Sequence, residues 1–288
     1  MKANGKDWGW NEMSSKALLV GINDYYPRGP GGPDLEGCVN DVRDMINTLF
    51  IFNFRKMKVL TNSRATRDEI LKGLRWLTAE AKKGDTLVFY YSGHGSRVPD
   101  MDGDEPDRKD EILCPHDMSF EKGIYISDDN LRDIFSDLPE GVNLEVIIDA
   151  CHSGTITRDL PGEDLAATKP RVRYLEPPLD MGFYLDYWPE LPSRGLLRPD
   201  ATREVAIAPG LNHVLWSACR HNQTAQEIEM ERLVRGAFTY HFCKALRRSD
   251  GKVSRMELDS LIGVAMKRFN QIPQLEASNK ELMDQPFR

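Results

Sequence analysis

Short, nearly unbroken apolar runs recur along the first half of the chain: "KALLVGIN" (16–23), "KMKVL" (56–60), "DTLVFYY" (85–91) and "NLEVIID" (143–149). A strand with one wet face alternates apolar and polar residues, so these continuous runs predict strands covered on both faces, as in a parallel sheet. Between them the apolar period lengthens to that of a helix. Leu35, Cys38, Val42, Met45, Ile46 and Leu49 form one stripe within 34–50. Thr66 and Glu69 have capping-box spacing ahead of a helix running to about Ala81, and Ser127 caps a helix over 128–138. Strand and helix in alternation predict right-handed crossovers, hence an α/β sheet with helices on both faces.

The pattern breaks after Gly154. Residues 155–211 are rich in Pro and Arg with little periodicity, which suits a functional loop or a linker. Regular structure resumes with an apolar "HVLWSA" (213–218), an alternating "QEIEM" (226–230), a helix from about Gly236 to Arg247, and a helix capped by Ser254 with Glu257 three residues on. The reading is a short N-terminal tail (1–15) and one domain over 16–288.

Composition changes this picture little. The chain of 288 residues is 40% hydrophobic and 29% charged, ordinary for a globular protein. A net charge of −7 and the lack of any Lys/Arg block speak against a nucleic-acid groove. Five dispersed cysteines, odd in number and without CxxC spacing, predict neither a disulfide framework nor a Cys-rich zinc site, and point to a reducing compartment. The N-terminus carries no apolar leader and no run approaches a membrane span, so no membrane partner and a cytoplasmic location are expected.

The candidate chemistry sits at strand ends. Cys151 and His152 follow the strand "NLEVIID", but neighbouring residues of a strand face opposite ways, so His152 is a poor proton acceptor for Cys151. His94, in "YYSGHGSR", also follows a strand, and Gly93 and Gly95 would let backbone approach a ligand closely. Ligands of open parallel sheets bind beyond the carboxyl ends of the strands, where His94 and Cys151 could meet in one crevice. By residue type alone, Cys151 also suits a small buried apolar residue and His94 a loop histidine. Asp149 shares the Cys151 face of its strand, and Asp41 lies one turn on from Cys38. A carboxylate beside a thiol disfavours the thiolate, so a bound cationic side chain would relieve the site.

The ordered set strand–SGHG, then strand–DACHSG, resembles the metacaspase branch of the caspase-like cysteine peptidases. The likeness extends through "GINDY" (21–25), "GCVNDV" (37–42), "GDEPDRKDEILCPHD" (103–117), "ISDDNL" (126–131), "SACRHNQTAQE" (217–227) and "GAFTYHFCKAL" (236–246). The resemblance implies a caspase-like α/β/α sandwich, with a p20-like part over 16–154, a connecting loop over 155–211 and a p10-like part over 212–288. It implies a cysteine endopeptidase with Cys151 as nucleophile and His94 as general base and acid, and an oxyanion hole from the N–H groups of Cys151 and Gly95. Asp41 and Asp149, beside Cys38, would line a pocket for Arg or Lys at P1 of a peptide or protein substrate, with Trp216 and Ser217 as pocket walls. A monomer is implied as well.

Seven of the twelve residues from Asp100 to Glu111 are acidic, but Glu105 stands where an EF-hand needs its turn glycine. By the resemblance, activating calcium would instead be held by Asp110, Asp128, Asp129 and Asp159, although a solvated acidic loop would look the same. Arg158, Arg171, Arg173, Arg194 and Arg203 make the 155–211 connection a candidate for self-cleavage or for a flap over the site. The alternative to an enzyme is a catalytically silent caspase-like binding or regulatory module.

Overall fold

The computed structural model describes residues 14–26, 32–100, 109–151, 171–187, 212–220, 223–269 and 271–287. The four apolar runs of the first half form β1 (Ser15–Gly21), β2 (Lys56–Thr61), β3 (Thr86–Ser92) and β7 (Asn143–Asp149). With β8 (Asn212–Ser217) and β11 (Gln274–Ala277) they make a six-stranded sheet in the order β11-β8-β7-β3-β1-β2. All pairings are parallel except that of β11 with β8. A smaller sheet joins β4 (Gly95–Pro99), β5 (Lys109–Leu113) and β6 (Ile126–Ser127), and β9 (Glu227–Met230) pairs with β10 (Leu233–Gly236) as a hairpin.

The period-two rule accounts for the absence of polar alternation in the central strands. Leu87, Phe89 and Tyr91 of β3 enter one core, with Leu74 of α2 (Arg67–Thr78) and Phe135 of α3 (Asp128–Ser136). Val88 and Tyr90 enter the other, with Met45 of α1 (Cys38–Ile51), Phe242 of α5 (Ala237–Arg248) and Ile262 of α6 (Arg255–Met266). Both faces of the sheet are thus covered, as the unbroken apolar runs require. The α/β/α sandwich expected from the sequence is the fold observed.

The expected caps form, with one change. Ser127 and Ser254 make complete capping boxes, with Asn130 and Glu257. Thr66 accepts the Glu69 N–H, but the Glu69 side chain turns to Lys72 instead of closing a box. Within the 155–211 connection, residues 171–175 run extended and α4 (Leu179–Tyr187) follows, so this part has more structure than its composition suggested. Among the described residues no helix is long and apolar enough to cross a membrane.

Candidate active site

Sheet order decides what can meet. β1 sends its partners β2 and β3 to opposite sides, which opens a crevice at the carboxyl ends of β1 and β3, and β7 lies next to β3. Ser92 pairs with Asp149 in register, so the turns after β3 and β7 leave the sheet side by side. One carries His94, the other Cys151.

His94 is fixed by its backbone. Its N–H donates to Tyr25 Oη at 2.7 Å, and its carbonyl accepts from Tyr91 Oη at 2.7 Å. Gly93 has to be glycine here, since a Cβ would lie 2.6 Å from Tyr91 Oη and 2.7 Å from Tyr25 Oη. The His94 ring packs on Tyr25, and Nε2 lies 2.7 Å from the Pro33 carbonyl. A carbonyl only accepts, so Nε2 carries the proton and Nδ1 presents its lone pair. Among the described residues Nδ1 has no hydrogen-bond partner. Burial pushes the His94 pKa down to about 4, which keeps the ring neutral and able to accept a proton.

Cys151 is fully buried directly beyond β7. The Ala225 N–H donates to its Sγ, and the Cys219 thiol, which donates to the Ala150 and Gln223 carbonyls, interacts with it. That contact, with burial, holds the Cys219 pKa well above the usual thiol range. The Cys151 N–H and the Gly95 N–H both donate to one acceptor, the carbonyl of Arg173, at 3.1 and 3.0 Å. Two N–H groups converging on a carbonyl oxygen beside a thiol form the geometry that stabilises a tetrahedral oxyanion.

The Arg173 side chain continues into a closed pocket and is fully buried. Its Nη2 reaches Asp41 Oδ2 at 2.6 Å and Glu227 Oε1 at 3.4 Å, and its Nη1 reaches Asp149 Oδ2 at 3.0 Å and Ser92 Oγ at 2.9 Å. The carboxylates are themselves held. Asp41 accepts the Gly236 N–H and the Ser92 hydroxyl, and Asp149 accepts the Thr239 N–H and hydroxyl. Glu227 takes the N–H groups of Glu36 and Gly37 at the start of α1, where the helix dipole favours negative charge. Gly236 forms the tight wall, since a Cβ there would lie 2.2 Å from Asp149 Oδ2 and 2.6 Å from Arg173 Nη1. Burial raises the Asp41 pKa to about 6, against the pull of the Arg173 guanidinium.

The backbone around Arg173 lies as an added strand. The Arg173 N–H donates to the Ala225 carbonyl at 3.1 Å and the Glu227 N–H to the Arg171 carbonyl at 3.0 Å. On the other side the Leu175 N–H donates to the Gly95 carbonyl at 2.9 Å, and Ser96 Oγ to the Leu175 carbonyl at 2.6 Å.

Residues 15–161 match the family model described as the metacaspase, peptidase C14 domain. Metacaspase-1A of Aspergillus oryzae is 31% identical over 94% of this chain and 70% of its own length. The chain belongs to the metacaspase family. Metacaspase-1 of Pyricularia oryzae is 32% identical over 92% of this chain and 72% of its own length. A solved structure, protein GSU0716 from Geobacter sulfurreducens, matches with a TM-score of 0.67 at 25% identity, covering 94% of this chain and 97% of that one. As a metacaspase of peptidase family C14, the protein is a cysteine-type endopeptidase.

The structure sorts the other residues expected in this metacaspase. Cys38 Sγ lies 3.7 Å from Glu227 Oε1, so it meets the pocket through that carboxylate. Trp216 does not form a wall. Its indole N–H is used by Glu145 at 2.9 Å and its ring packs edge-on against Phe242, in the core beneath the pocket. Glu145 is buried there with Arg255 as its ion-pair partner, which explains an acidic residue inside an apolar strand. Ser217 pairs with Gln274 across β8 and β11, and among the described residues nothing ties it to Arg173. His152 and Asp159 lie outside the described residues.

The carboxylates of Asp110, Asp128 and Asp129 come within 4.8 Å of one another. Asp110 sits on β5 and the two others in the first turn of α3, brought together by the pairing of β5 with β6. Arg132 pairs with Asp129. An all-oxygen donor set of this kind is one that could hold a hard ion such as calcium. Reading the sequence alone missed Ser92, Glu227 and Thr239. Glu227 was the most accessible of them, an acidic residue inside both the alternating strand and the "SACRHNQTAQE" motif.

Proposed function

We propose that this metacaspase cuts peptide bonds after Arg or Lys with a Cys151–His94 dyad, is stimulated by calcium, and cleaves itself after Arg173. The observation that carries this reading is Arg173 itself, with its side chain among three carboxylates and its carbonyl on two N–H donors beside Cys151.

The chemistry follows from those positions. His94 Nδ1 takes the thiol proton as Cys151 Sγ attacks the carbonyl carbon of the P1 residue. The N–H groups of Gly95 and Cys151 receive the negative charge that develops on oxygen. His94 then returns the proton to the departing amine, leaving a thioester on Cys151. A water that gives its proton to His94 hydrolyses the thioester and frees the P1 carboxylate. In the self-cleavage reaction the departing amine belongs to Tyr174. Asp110, Asp128 and Asp129, joined by Asp159 by resemblance, would hold calcium, which supplies positive charge to the acidic corner.

The test is hydrolysis of two fluorogenic peptides, with Arg or Asp at P1, each with calcium and with chelator. Arg-selective cleavage that falls on chelation is expected. Equal or preferred cutting of the Asp peptide would sink the P1 assignment, and rates indifferent to chelator would leave the acidic corner without a metal role.

The pocket also predicts a pH dependence. With a guanidinium in place Asp41 titrates at about 6, so below that pH the occupied pocket loses negative charge and kcat for a P1-Arg peptide should fall, by at most about tenfold per unit. Stability should respond in the opposite sense. Between the ordinary carboxyl pKa and about 6 the native state binds more protons at Asp41 than the unfolded chain, so its contribution to stability grows as pH falls through that window. An Asp41→Asn variant should lose both trends. A pH profile of kcat beside urea midpoints at the same pH values checks the pair.

A further inference from the structure

We propose that Glu36 forms a second recognition subsite, which selects a basic residue two positions before the P1 residue, so that favoured substrates read Arg-X-Arg or Lys-X-Arg. The inference rests on the P1 reading above and extends it to P3. In an extended strand, residues two apart share a face, so Arg171 lies on the same side as Arg173 while Val172 turns the other way. Val172 accordingly packs against the core that contains Cys151 and Tyr174.

Arg171 faces the segment that leads into α1. Its Nη2 lies 2.5 Å from Glu36 Oε1, and its Nη1 donates to the Asp34 carbonyl at 3.2 Å. Two acceptors from one short segment thus receive one guanidinium. The segment is not free to drift, since the Glu36 N–H donates to Glu227 Oε2 at 2.9 Å, and the Glu227 N–H donates in turn to the Arg171 carbonyl at 3.0 Å. Glu227 therefore ties the P1 pocket, the backbone of the bound segment and Glu36 into one unit. Arg171 and Glu36 side chains remain 46% and 51% exposed, so this contact is a solvent-screened preference and not an absolute requirement. Exposed pairs of this kind correspond to about a two- to fivefold effect.

The experiment uses three peptides with Arg at P1, Val at P2 and Arg, Ala or Glu at P3, on the full chain with calcium, as wild type, Glu36→Gln and Glu36→Lys. Ratios of kcat/KM between peptides on one enzyme cancel any shared competition from the chain's own 171–175 segment. The wild type should prefer Arg over Ala at P3 by about two- to fivefold and disfavour Glu. Glu36→Gln should bring the three rates together, and Glu36→Lys should turn the preference toward Glu. If the wild type cuts all three equally, or Glu36→Gln keeps the Arg preference, the subsite is overturned while the P1 assignment stands. If no P1-Arg peptide is cut, the P1 assignment fails and the subsite falls with it.

Discussion

With Arg173 replaced by alanine, the enzyme incubated with calcium is expected to yield no fragment beginning at Tyr174. Cleavage requires the carbonyl of residue 173 on the N–H groups of Gly95 and Cys151, and in the wild type two anchors hold it there. One is the strand-like pairing with Ala225 and Gly95; the other is the guanidinium among Asp41, Asp149 and Glu227. Alanine keeps the first and removes the second, leaving three buried carboxylates without their cation, a loss of the order of 3–5 kcal/mol for a buried charge network. Water would enter the emptied pocket and the segment would no longer dwell in the cleft. A slip of two residues would seat Arg171 in the same pocket, so Arg171→Ala/Arg173→Ala is the stricter control. Cys151→Ala should also prevent the cut. Intact mass after incubation reads the outcome: a persistent break between residues 173 and 174 in either Arg173→Ala or Cys151→Ala would refute self-cleavage through this site.

Asp149→Asn should lower kcat/KM for a P1-Arg peptide by about two to three orders of magnitude, from the same cost of leaving a buried guanidinium short of one carboxylate. Asparagine keeps the volume and, through its carbonyl oxygen, the acceptor for the Thr239 N–H and hydroxyl, so the wall of the pocket should stand. The diagnostic readout is the ratio of rates for Arg and for neutral citrulline at P1. A pocket that works by charge loses rate on Arg alone. A variant that loses both equally has been damaged as a scaffold, and a loss below about threefold on Arg would remove Asp149 from recognition.

Much of this was readable from the chain. The continuous apolar runs forced a sheet covered on both faces, and two of those runs ended in His94 and Cys151. Adjacent strands then placed both at one crevice. Period-two geometry set Asp149 apart from its sequence neighbours and on the face of Cys151, and in the structure its carboxylate meets Arg173. The acidic triad was legible only through resemblance, because Asp110 and Asp128 are brought together by the two-residue strand β6, too short to leave a periodic signal. Trp216 misled for a related reason: an aromatic in an apolar strand looks like a pocket wall until the buried Glu145 that binds its indole is seen. Arg173 could not be singled out among the arginines of its connection. Its order comes from pairing with residues some fifty positions later and eighty earlier, and such long-range strand addition leaves no local pattern.

Gly95 and the acidic corner stand at the two ends of one short ladder. Gly95 opens β4, Val98 of the same strand pairs with Asp110 on β5, and Ile112 pairs with Ser127, which leads into Asp128. Three residues of strand, on the order of 10 Å, separate Gly95 from the nearest carboxylate of the corner. No slack intervenes. A cation seated there would brace the strand that sets the aim of the Gly95 N–H, and its departure would let mutual repulsion of the carboxylates tug on that strand. Metal occupancy would then act as a mechanical trim on the speed of the chemical step, while the grip on the P1 side chain, built from other elements, stayed as it was.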